Sequence, residues 1–397
     1  MKILLVNKFL YPKGGSERYL FDLAELLRAK GHQVEFFGMD DPRNIVETPK
    51  EKLVKNIDFH KKSLSTLLYP FKIIYSSEAR HKIRRIIKEF RPDLVHLNNY
   101  NFQITPSIIY ELKKHKIPVV QTLHDPVLVC PSHLLYNVRT GSICEKCKGR
   151  KYRNCMITQC IHGSLFRSML GMFEGYLYYK LKTYDYIEKF ICPSQFLADK
   201  LIDFGVRKEK LTVIPNFIHS MDYSDMPRER NYFLYFGRIS REKGMVTLLS
   251  AVKALPGIQF VFAGSGPLES MLQGLDNGRW VGFKQGEELR DLIRGSIATI
   301  YPSEWYENSP LSILESFGLG VPVIGSNIGG IPELIEDQFN GLLFEPKNIA
   351  DLVDKIKYLD ERKELRDGYS RNCLKSSKSF SREKYYQNIF NLYQKVV

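Results

Sequence analysis

The stretch KILLVNKFLYPKGGSERYLFDLAELLRAKGHQVEFFGM, residues 2–39, contains a complete strand–helix–strand unit. Residues 2–7 are an apolar run with little alternation, which is typical of a parallel strand covered on both faces. Residues 18–32 carry apolar side chains at helical spacing, and Gly31 marks the end of the predicted helix. Residues 33–39 are predicted to form the next strand. This succession predicts a parallel sheet with helices packed against it.

The same alternation continues along the chain and then restarts. HKIRRIIKEFRPDLVHLNN (81–99) and IIYELKKHKIPVVQTLHD (108–125) each predict a helix followed by a strand. A second series of apolar strands follows, at 232–240, 258–266, 295–303 and 320–326. We therefore predict an α/β fold of two doubly wound, Rossmann-like domains, with the seam between them near 217–231.

The length of 397 residues is sufficient for two domains, predicted at 1–218 and 219–380. We expect the last helix, within 381–397, to cross back to the first domain. A hydrophobic content of 44% excludes a disordered chain. No apolar run reaches the roughly 18 residues of a membrane span, and MKILLVNKF becomes polar too early for a signal peptide. The expected location is therefore the cytoplasm.

Positive charge is concentrated in the first predicted domain. Residues 1–218 contain 36 Lys and Arg against 21 Asp and Glu, a net charge of +15, whereas the rest of the chain carries −1. Such asymmetry indicates contact with phospholipid, a phosphorylated acceptor or nucleic acid, although solubility is an alternative explanation. The sequence has no zinc-finger or RNP motif, so we do not expect nucleic acid as a partner.

The segment ENSPLSILE (307–315) predicts an anion site at the start of a helix. Ser309 as N-cap and Pro310 at the first helical position would leave the N–H groups of the next two residues, Leu311 and Ser312, facing a ligand such as a diphosphate. Glu307 would face the sugar of that ligand and Glu315 its ribose, since carboxylates accept hydrogen bonds from hydroxyls. The alternative is a capping acid and a surface acid on an ordinary helix.

Five of the seven cysteines fall within residues 130–160. In a cytoplasmic protein such clustering favours a metal over disulfides, and four thiolates suit structural zinc. The predicted zinc ligands, in an insert at 130–162, are Cys144, Cys147, Cys155 and Cys160. Reduced thiols and a redox pair are the alternatives.

The segment SLFRSMLGMFEGYLYYKLKTYDYIEKF (164–190) mixes large apolar side chains with cations. One interpretation is a helix packed on the sheet. The other is an interfacial helix that lies on an anionic membrane. The second interpretation predicts a peripheral location on the inner face of the cell membrane.

Several motifs occur together in one order: PKGGSERYLF, QTLHD, YFGRISREKG, FAGSGP and a Glu-x7-Glu pattern followed by SFGLGVPVIGSNIGG. Over nearly the whole chain this resembles the retaining glycosyltransferases of family GT4, also called group 1, which have the GT-B fold. The resemblance implies two domains that face each other across a cleft. It also implies a nucleotide-diphosphate sugar donor on the second domain and a glycan acceptor, often linked to polyprenyl diphosphate, on the first.

The resemblance also assigns roles to residues. Arg238 and Lys243 would hold the donor diphosphate, while Glu307 and His124 would contact the donor sugar from opposite domains. Glu315 would bind the ribose. Gly15 matches a glycine whose backbone lies near the diphosphate, whereas Gly14 could serve only a tight turn. The donor-binding positions predicted in all are Gly14, Gly15, Gly237, Gly266, Ser309, Leu311 and Ser312, together with Glu315.

The family's favoured reaction route is front-face substitution, in which the leaving phosphate takes the acceptor's proton. No Asp-x-Asp motif is present, so we expect catalysis without a metal or other cofactor. Two alternatives share the fold: a nucleotide-sugar 2-epimerase and a non-catalytic carbohydrate-binding protein. The basic first domain and the cysteine-rich insert disfavour the epimerase, and the intact charged motif residues disfavour the binding protein.

Overall fold

The computed structural model describes residues 1–56, 72, 74–218 and 230–397. Its first sheet has six parallel strands in the order β10-β9-β6-β5-β1-β2. Two short two-stranded sheets, β3-β4 and β7-β8, accompany it. The strands of this part of the chain are β1 Lys2–Val6, β2 Gln33–Phe37, β3 Met39–Asp40, β4 Val54–Lys55, β5 Leu94–Leu97, β6 Val119–Thr122, β7 Tyr136–Asn137, β8 Ser142–Ile143, β9 Lys189–Cys192 and β10 Leu211–Val213.

The second sheet also has six parallel strands, in the order β13-β12-β11-β14-β15-β16. Its strands are β11 Tyr232–Phe236, β12 Phe260–Ala263, β13 Gly278–Trp280, β14 Ser296–Tyr301, β15 Val323–Ser326 and β16 Gly341–Phe344. The prediction of two parallel, Rossmann-like sheets is confirmed. The predicted seam near 217–231 lies largely outside the described residues.

Helices cover both sheets. They are α1 Gly15–Ala29, α2 Ser77–Phe90, α3 Ser107–Lys114, α4 Arg153–Thr158, α5 Leu165–Lys180, α6 Gln195–Asp203, α7 Met245–Lys253, α8 Gly286–Arg294, α9 Leu311–Gly318, α10 Ile349–Glu361, α11 Lys363–Ser377 and α12 Arg382–Val396. In the part of the chain that the structure describes, none of them is both long and apolar enough to cross a membrane.

The local sequence explains the central elements. All of Ile3–Val6 is fully buried, because β1 lies between β5 and β2 with helices on both faces. Helix α1 buries Tyr19, Leu20, Leu23 and Leu27, which recur at helical spacing and therefore share one face.

The last helix crosses back to the first domain, as predicted. The Ser381 side chain accepts a hydrogen bond from Lys384 N and caps α12. Tyr385 then hydrogen-bonds Tyr19, and Tyr393 lies 2.6 Å from His96 Nδ1. This crossing places the end of the chain on the sheet where the chain begins.

The strand-end loops of the two domains contact each other directly. Asn308 Nδ2 donates to Leu123 O at 2.9 Å, and Asn216 Nδ2 donates to Ser309 O at 2.8 Å. The carboxylate of Glu333 accepts from the first backbone N–H groups of α6 in the other domain. The cleft therefore lies at the carboxyl ends of both sheets, where ligands of such folds bind.

Candidate functional site in the cleft between the domains

Helix α9 begins one residue later than the sequence predicted. Pro310 is its N-cap, with ψ at 120°, and the helix starts at Leu311. The prediction of Ser309 as N-cap was wrong, because the extended Pro310 separates Ser309 from the helix. Ser309 Oγ is buried and has no hydrogen-bond partner among the described residues. The first-turn N–H groups, those of Leu311 and Ser312 included, still point out of the helix start.

Glu307 forms the densest polar contacts next to this helix start. One of its oxygens, Oε1, accepts hydrogen bonds from Lys243 Nζ at 2.6 Å, Ser303 Oγ at 2.6 Å and Trp305 Nε1 at 2.5 Å. Burial alone would raise the pKa of Glu307, but attraction to Lys243 and these hydrogen bonds outweigh it, and the pKa is lowered. Glu307 is therefore an ionised carboxylate inside the protein.

Lys243 reaches Glu307 because of the turn that carries it. The turn at Arg241–Lys243 ends at Gly244, which has φ of 74° and serves as N-cap of α7. A Cβ at this position would lie 1.7 Å from Pro302 O, so only glycine fits. Burial disfavours the charge on Lys243, but the adjacent Glu307 raises the pKa of the ammonium and keeps it charged.

Arg238 occupies the loop after β11, where the side chain is 66% exposed and Nη1 lies 3.9 Å from Glu242 Oε1.

The glycines of this region allow the strand-end loops to pack closely. A Cβ at Gly264 would lie 1.9 Å from Gly237 O, and one at Gly266 would lie 2.2 Å from Ile239 O. The two strand-end loops therefore touch through their backbones and support the loop that carries Arg238.

His124 lies at the opposite wall of the cleft. Its Nε2 is 3.0 Å from Asn98 Oδ1, and Tyr19 packs edge-on with ring centroids 4.9 Å apart. Burial lowers the pKa of His124 to about 4, so the imidazole is neutral at pH 7. The neighbouring Asp125 accepts from Val127 N and begins a turn.

The glycine loop before α1 completes the site. A Cβ at Gly15 would lie 3.8 Å from Leu311 Cδ1, which places this loop opposite the start of α9. Gly14 is the N-cap of α1 in an extended conformation, with φ of −165°. Glu315, the predicted ribose ligand, accepts a hydrogen bond from Arg18 of α1 across the cleft.

Some residues of the site were missed by sequence reasoning. Arg18, Ser303, Trp305 and Asn308 all make contacts described above. The last three lie in PSEWYENSP, and the density of polar and aromatic residues in a loop after a strand was the available signal. Arg18 follows the glycine pair by one turn of α1, but its partner in the other domain could not be inferred from spacing.

The cysteine-rich insert packs on the second domain beside the site. Tyr136 contacts Trp305 edge-to-face with ring centroids 6.2 Å apart. Glu145 Oε1 accepts from Tyr306 OH at 2.8 Å and from Lys200 Nζ at 2.7 Å. The insert therefore forms one wall of the cleft.

Within the insert, buried cysteines form an apolar cluster with aromatic residues. Cys155 and Cys160 have their sulfurs 3.1 Å apart, and Cys147 is buried with them beside Tyr152. Among the described residues, no three His, Cys, Asp or Glu side chains form a group that could hold a metal ion. The four-thiolate site of Cys144, Cys147, Cys155 and Cys160 is not formed in this arrangement, and zinc stays a prediction.

Two facing parallel sheets whose strand-end loops meet at the start of a helix define the GT-B class of two-domain proteins. The family described as Glycosyltransferase Family 4 matches residues 13–220, and the one described as Glycosyl transferases group 1 matches residues 220–375. The chain belongs to this family of glycosyltransferases, which confirms the resemblance.

The chain is similar to a glycosyltransferase of Methanocaldococcus jannaschii, with 28% identity over 378 residues, 90% of this chain and 89% of the relative. A protein from the cps region of Klebsiella pneumoniae is 26% identical over 84% of this chain and 87% of its own length. Among solved structures, sucrose-phosphate synthase from Thermosynechococcus elongatus gives a TM-score of 0.74 at 19% identity, covering 99% and 98% of the two chains. The structure of Anabaena HepE in complex with UDP gives a TM-score of 0.70 at 19% identity and covers 100% of both chains.

Proposed function

We propose that this glycosyltransferase is a retaining enzyme that moves a sugar from a nucleoside-diphosphate donor to a hydroxyl of a glycan acceptor in cell-surface polysaccharide biosynthesis. The observation that carries the proposal is the convergence of Lys243, Glu307 and the start of α9 opposite Gly15. A partly buried cation, 19% exposed, and unpaired helix N–H groups are suited to a diphosphate, and the adjacent carboxylate is suited to sugar hydroxyls.

The proposed reaction depends on stabilisation of the leaving diphosphate. Lys243, Arg238 and the first N–H groups of α9 would stabilise the negative charge that develops as the glycosidic bond breaks. The released phosphate oxygen takes the proton of the acceptor hydroxyl, so no enzyme base is assigned. This route leaves the configuration of the anomeric carbon retained.

His124 acts as a neutral hydrogen-bonding group in this proposal. With Asn98 Oδ1 accepting from Nε2–H, the other ring nitrogen, Nδ1, is an acceptor for a donor-sugar hydroxyl. Because burial holds its pKa at about 4, His124 does not gain a charge between pH 5 and 8. It therefore orients the sugar from the first domain while Glu307 holds it from the second.

The donor is identified with a thermal-shift panel of UDP-glucose, UDP-galactose, UDP-N-acetylglucosamine and GDP-mannose. Solved structures of HepE contain UDP and UDP-glucose, which supports a nucleotide sugar as the donor class. We expect at least one panel member to raise the melting temperature, because a ligand that binds only the folded state stabilises it. If none does at millimolar concentration, the proposed donor class is wrong.

Catalysis is proposed to need no divalent metal, because Lys243, Arg238 and the first N–H groups of α9 would compensate the charge of the diphosphate. Transfer measured with and without EDTA tests this, and loss of transfer in EDTA would overturn it.

The structural-zinc hypothesis is tested separately, by elemental analysis of purified protein. Less than a tenth of an equivalent of any metal would reject it.

A membrane-facing position on the cytoplasmic side is proposed for α5. This helix and its C-cap carry six exposed large apolar side chains, namely Leu165, Phe166, Phe173, Leu177, Tyr179 and Leu181. Arg167 and Lys180 flank them, so the surface combines apolar insertion with attraction to anionic lipid. Flotation with anionic and neutral vesicles tests the proposal, and equally negligible binding to both would contradict it.

A further inference from the structure

A cavity of about 350 Å³ lies in the first domain, between α5 and the segment that follows His124. Its size is at the lower end of the range for small-molecule sites. Its wall includes valine and phenylalanine side chains and four tyrosines, among them Val127, Tyr152, Tyr178 and Phe204. None of the predicted donor-binding residues lines it, so it is separate from the diphosphate site.

Glu174 of α5 is the unusual residue in this wall. Its side chain is 6% exposed, and Oε1 has no hydrogen-bond partner among the described residues. Burial raises the pKa of Glu174 to about 8, so the carboxyl is mostly neutral at pH 7. Leaving a buried polar group unpaired is destabilising, and a ligand hydroxyl in the cavity would offset that cost.

The outer part of the cavity is positively charged. Arg150, Lys182, Arg207 and Lys210 line it, against one acidic residue, Asp185. Asp185 lies 3.5 Å from Arg207, and its backbone carbonyl accepts from Lys210. Lys182 is exposed, and its ammonium makes no hydrogen bond or ion pair among the described residues, although its backbone bonds to Tyr179 and Asp185. A ligand that extends from the neutral carboxyl to this rim should therefore carry an anionic group at its outer end.

Two features of α5 relate the cavity to its surroundings. Gly171 and Gly175 line the cavity, and a Cβ at Gly175 would lie 3.0 Å from the ring of Tyr152, so the wall is tightly packed. The exposed side chains of Phe173 and Leu177 occupy the adjacent face of the same helix. A phosphate at the rim would thus lie beside the apolar surface proposed to contact the membrane.

We propose that this cavity binds the phosphate-bearing sugar of the acceptor, a glycosyl phosphate whose hydroxyls meet Glu174 and whose phosphate meets Lys182 and Arg150. Aromatic walls suit the C–H faces of the sugar ring, and the attached lipid would follow the exposed face of α5. The inference deepens the proposed function and rests on it for the acceptor role. What it adds is the site: the phosphate-bearing sugar is assigned to this cavity, with Glu174 at its inner wall and Lys182 and Arg150 at its rim.

The test is calorimetric titration of the full chain, without any nucleotide sugar, using the 1-phosphates of glucose, galactose, mannose and N-acetylglucosamine. The free sugars, inorganic phosphate and farnesyl phosphate are the comparison ligands. We expect at least one sugar 1-phosphate to bind at least tenfold more tightly than its free sugar and than inorganic phosphate. Binding of no sugar phosphate, or binding of inorganic phosphate as tight as that of every sugar 1-phosphate, would overturn the proposal.

Two variants assign the binding to the cavity. Glu174→Leu should weaken binding of the sugar phosphate at least tenfold. The melting temperature of the ligand-free variant should be no lower than that of the wild type, because an unpaired buried carboxyl is removed. Lys182→Gln, at an exposed position two residues after α5 ends, should weaken this binding about tenfold, whereas Lys180→Gln at the exposed last residue of α5 should not. Unchanged affinity in both cavity variants contradicts the proposal. Since no donor is present, that failure leaves donor binding and the transferase proposal intact.

Discussion

At the scale of single residues, the pair of Lys243 and Glu307 determines the chemistry of the cleft. Glu307 Oε1 accepts three hydrogen bonds, and one of them comes from the partly buried ammonium of Lys243. The donor must therefore enter a site in which the positive charge of Lys243 and the negative charge of Glu307 already compensate each other. Its diphosphate would share Lys243 with Glu307, and its sugar would meet the second carboxylate oxygen.

Glu307→Gln tests this arrangement directly. The amide keeps the size of the side chain but loses the charge-assisted hydrogen bonds, each worth about 1.5–3 kcal/mol. We expect kcat/KM for sugar transfer to fall roughly 100-fold, and the melting temperature to fall because Lys243 loses its partner. Glu336→Gln, at an exposed position in the same domain, is the control. A Glu307→Gln enzyme with wild-type kcat/KM would show that this carboxylate does not act in the reaction.

Glu174 makes a separate prediction about stability and pH. Its pKa is raised from 4.5 to about 8 in the folded protein, so the folded state holds a proton that the unfolded chain has released. The stability from this proton is fully present below about pH 4.5 and is lost as the pH rises towards 8. We expect the wild type to lose roughly 1 kcal/mol per pH unit relative to Glu174→Gln within that window. Parallel stability curves for the two proteins from pH 5 to 8 would contradict the assignment.

At the scale of elements, short turns position the functional side chains more than the helices do. Gly244 is the clearest case, because its positive φ and its contact with Pro302 O hold Lys243 against the 303–307 loop. Gly329 and Gly330 similarly allow close packing on Glu307 and Asn308, where added Cβ atoms would lie 2.5 and 1.9 Å from backbone oxygens.

Gly244→Ala should therefore be costly for both folding and catalysis. A methyl group 1.7 Å from a carbonyl oxygen forces the turn to move, and we expect a loss of about 3 kcal/mol in unfolding free energy. Gly257→Ala is the matched control, since no atom lies within 4 Å of its added Cβ. Chemical denaturation measures both, and equal midpoints would show that the close approach at Gly244 is not required.

The elements also show what could and could not be predicted from the sequence. The strands and the crossing helix follow from periodicity and apolar runs, and β1 ends within one residue of its expected position. The start of α9 could not be predicted correctly from the sequence. Ser-Pro is a strong signal for a helix that begins at the proline, but Pro310 is extended and the helix begins at the next residue. Contacts such as Arg18 with Glu315 join residues 297 positions apart, and no local pattern encodes them.

At the scale of the whole molecule, contacts across the cleft hold the two domains together. Arg18 with Glu315, Asn308 with Leu123 and Glu333 with the start of α6 all join one domain to the other. Interfaces of this polar kind allow relative motion of domains. Donor binding at Glu315 would compete with Arg18, so closure and binding are expected to be coupled.

Arg18→Gln should open the donor-free enzyme. Removing the guanidinium takes away one of the ionic contacts between the domains, so we expect a larger radius of gyration in small-angle X-ray scattering. Arg28→Gln, on the same helix and exposed, is the control. Superimposable scattering curves for Arg18→Gln and the wild type would show that this ion pair does not restrain the cleft.

The most direct measurement of the central claim is calorimetric binding of UDP and GDP to the wild type, Lys243→Met and the control Lys253→Met. Lys243 lies at the proposed diphosphate site, whereas Lys253 ends α7 away from it. The account predicts that the wild type binds one of the two nucleotides, that Lys243→Met weakens this binding about tenfold or more, and that Lys253→Met does not. Equal affinities for all three proteins, or no binding of either nucleotide to the wild type, would contradict it.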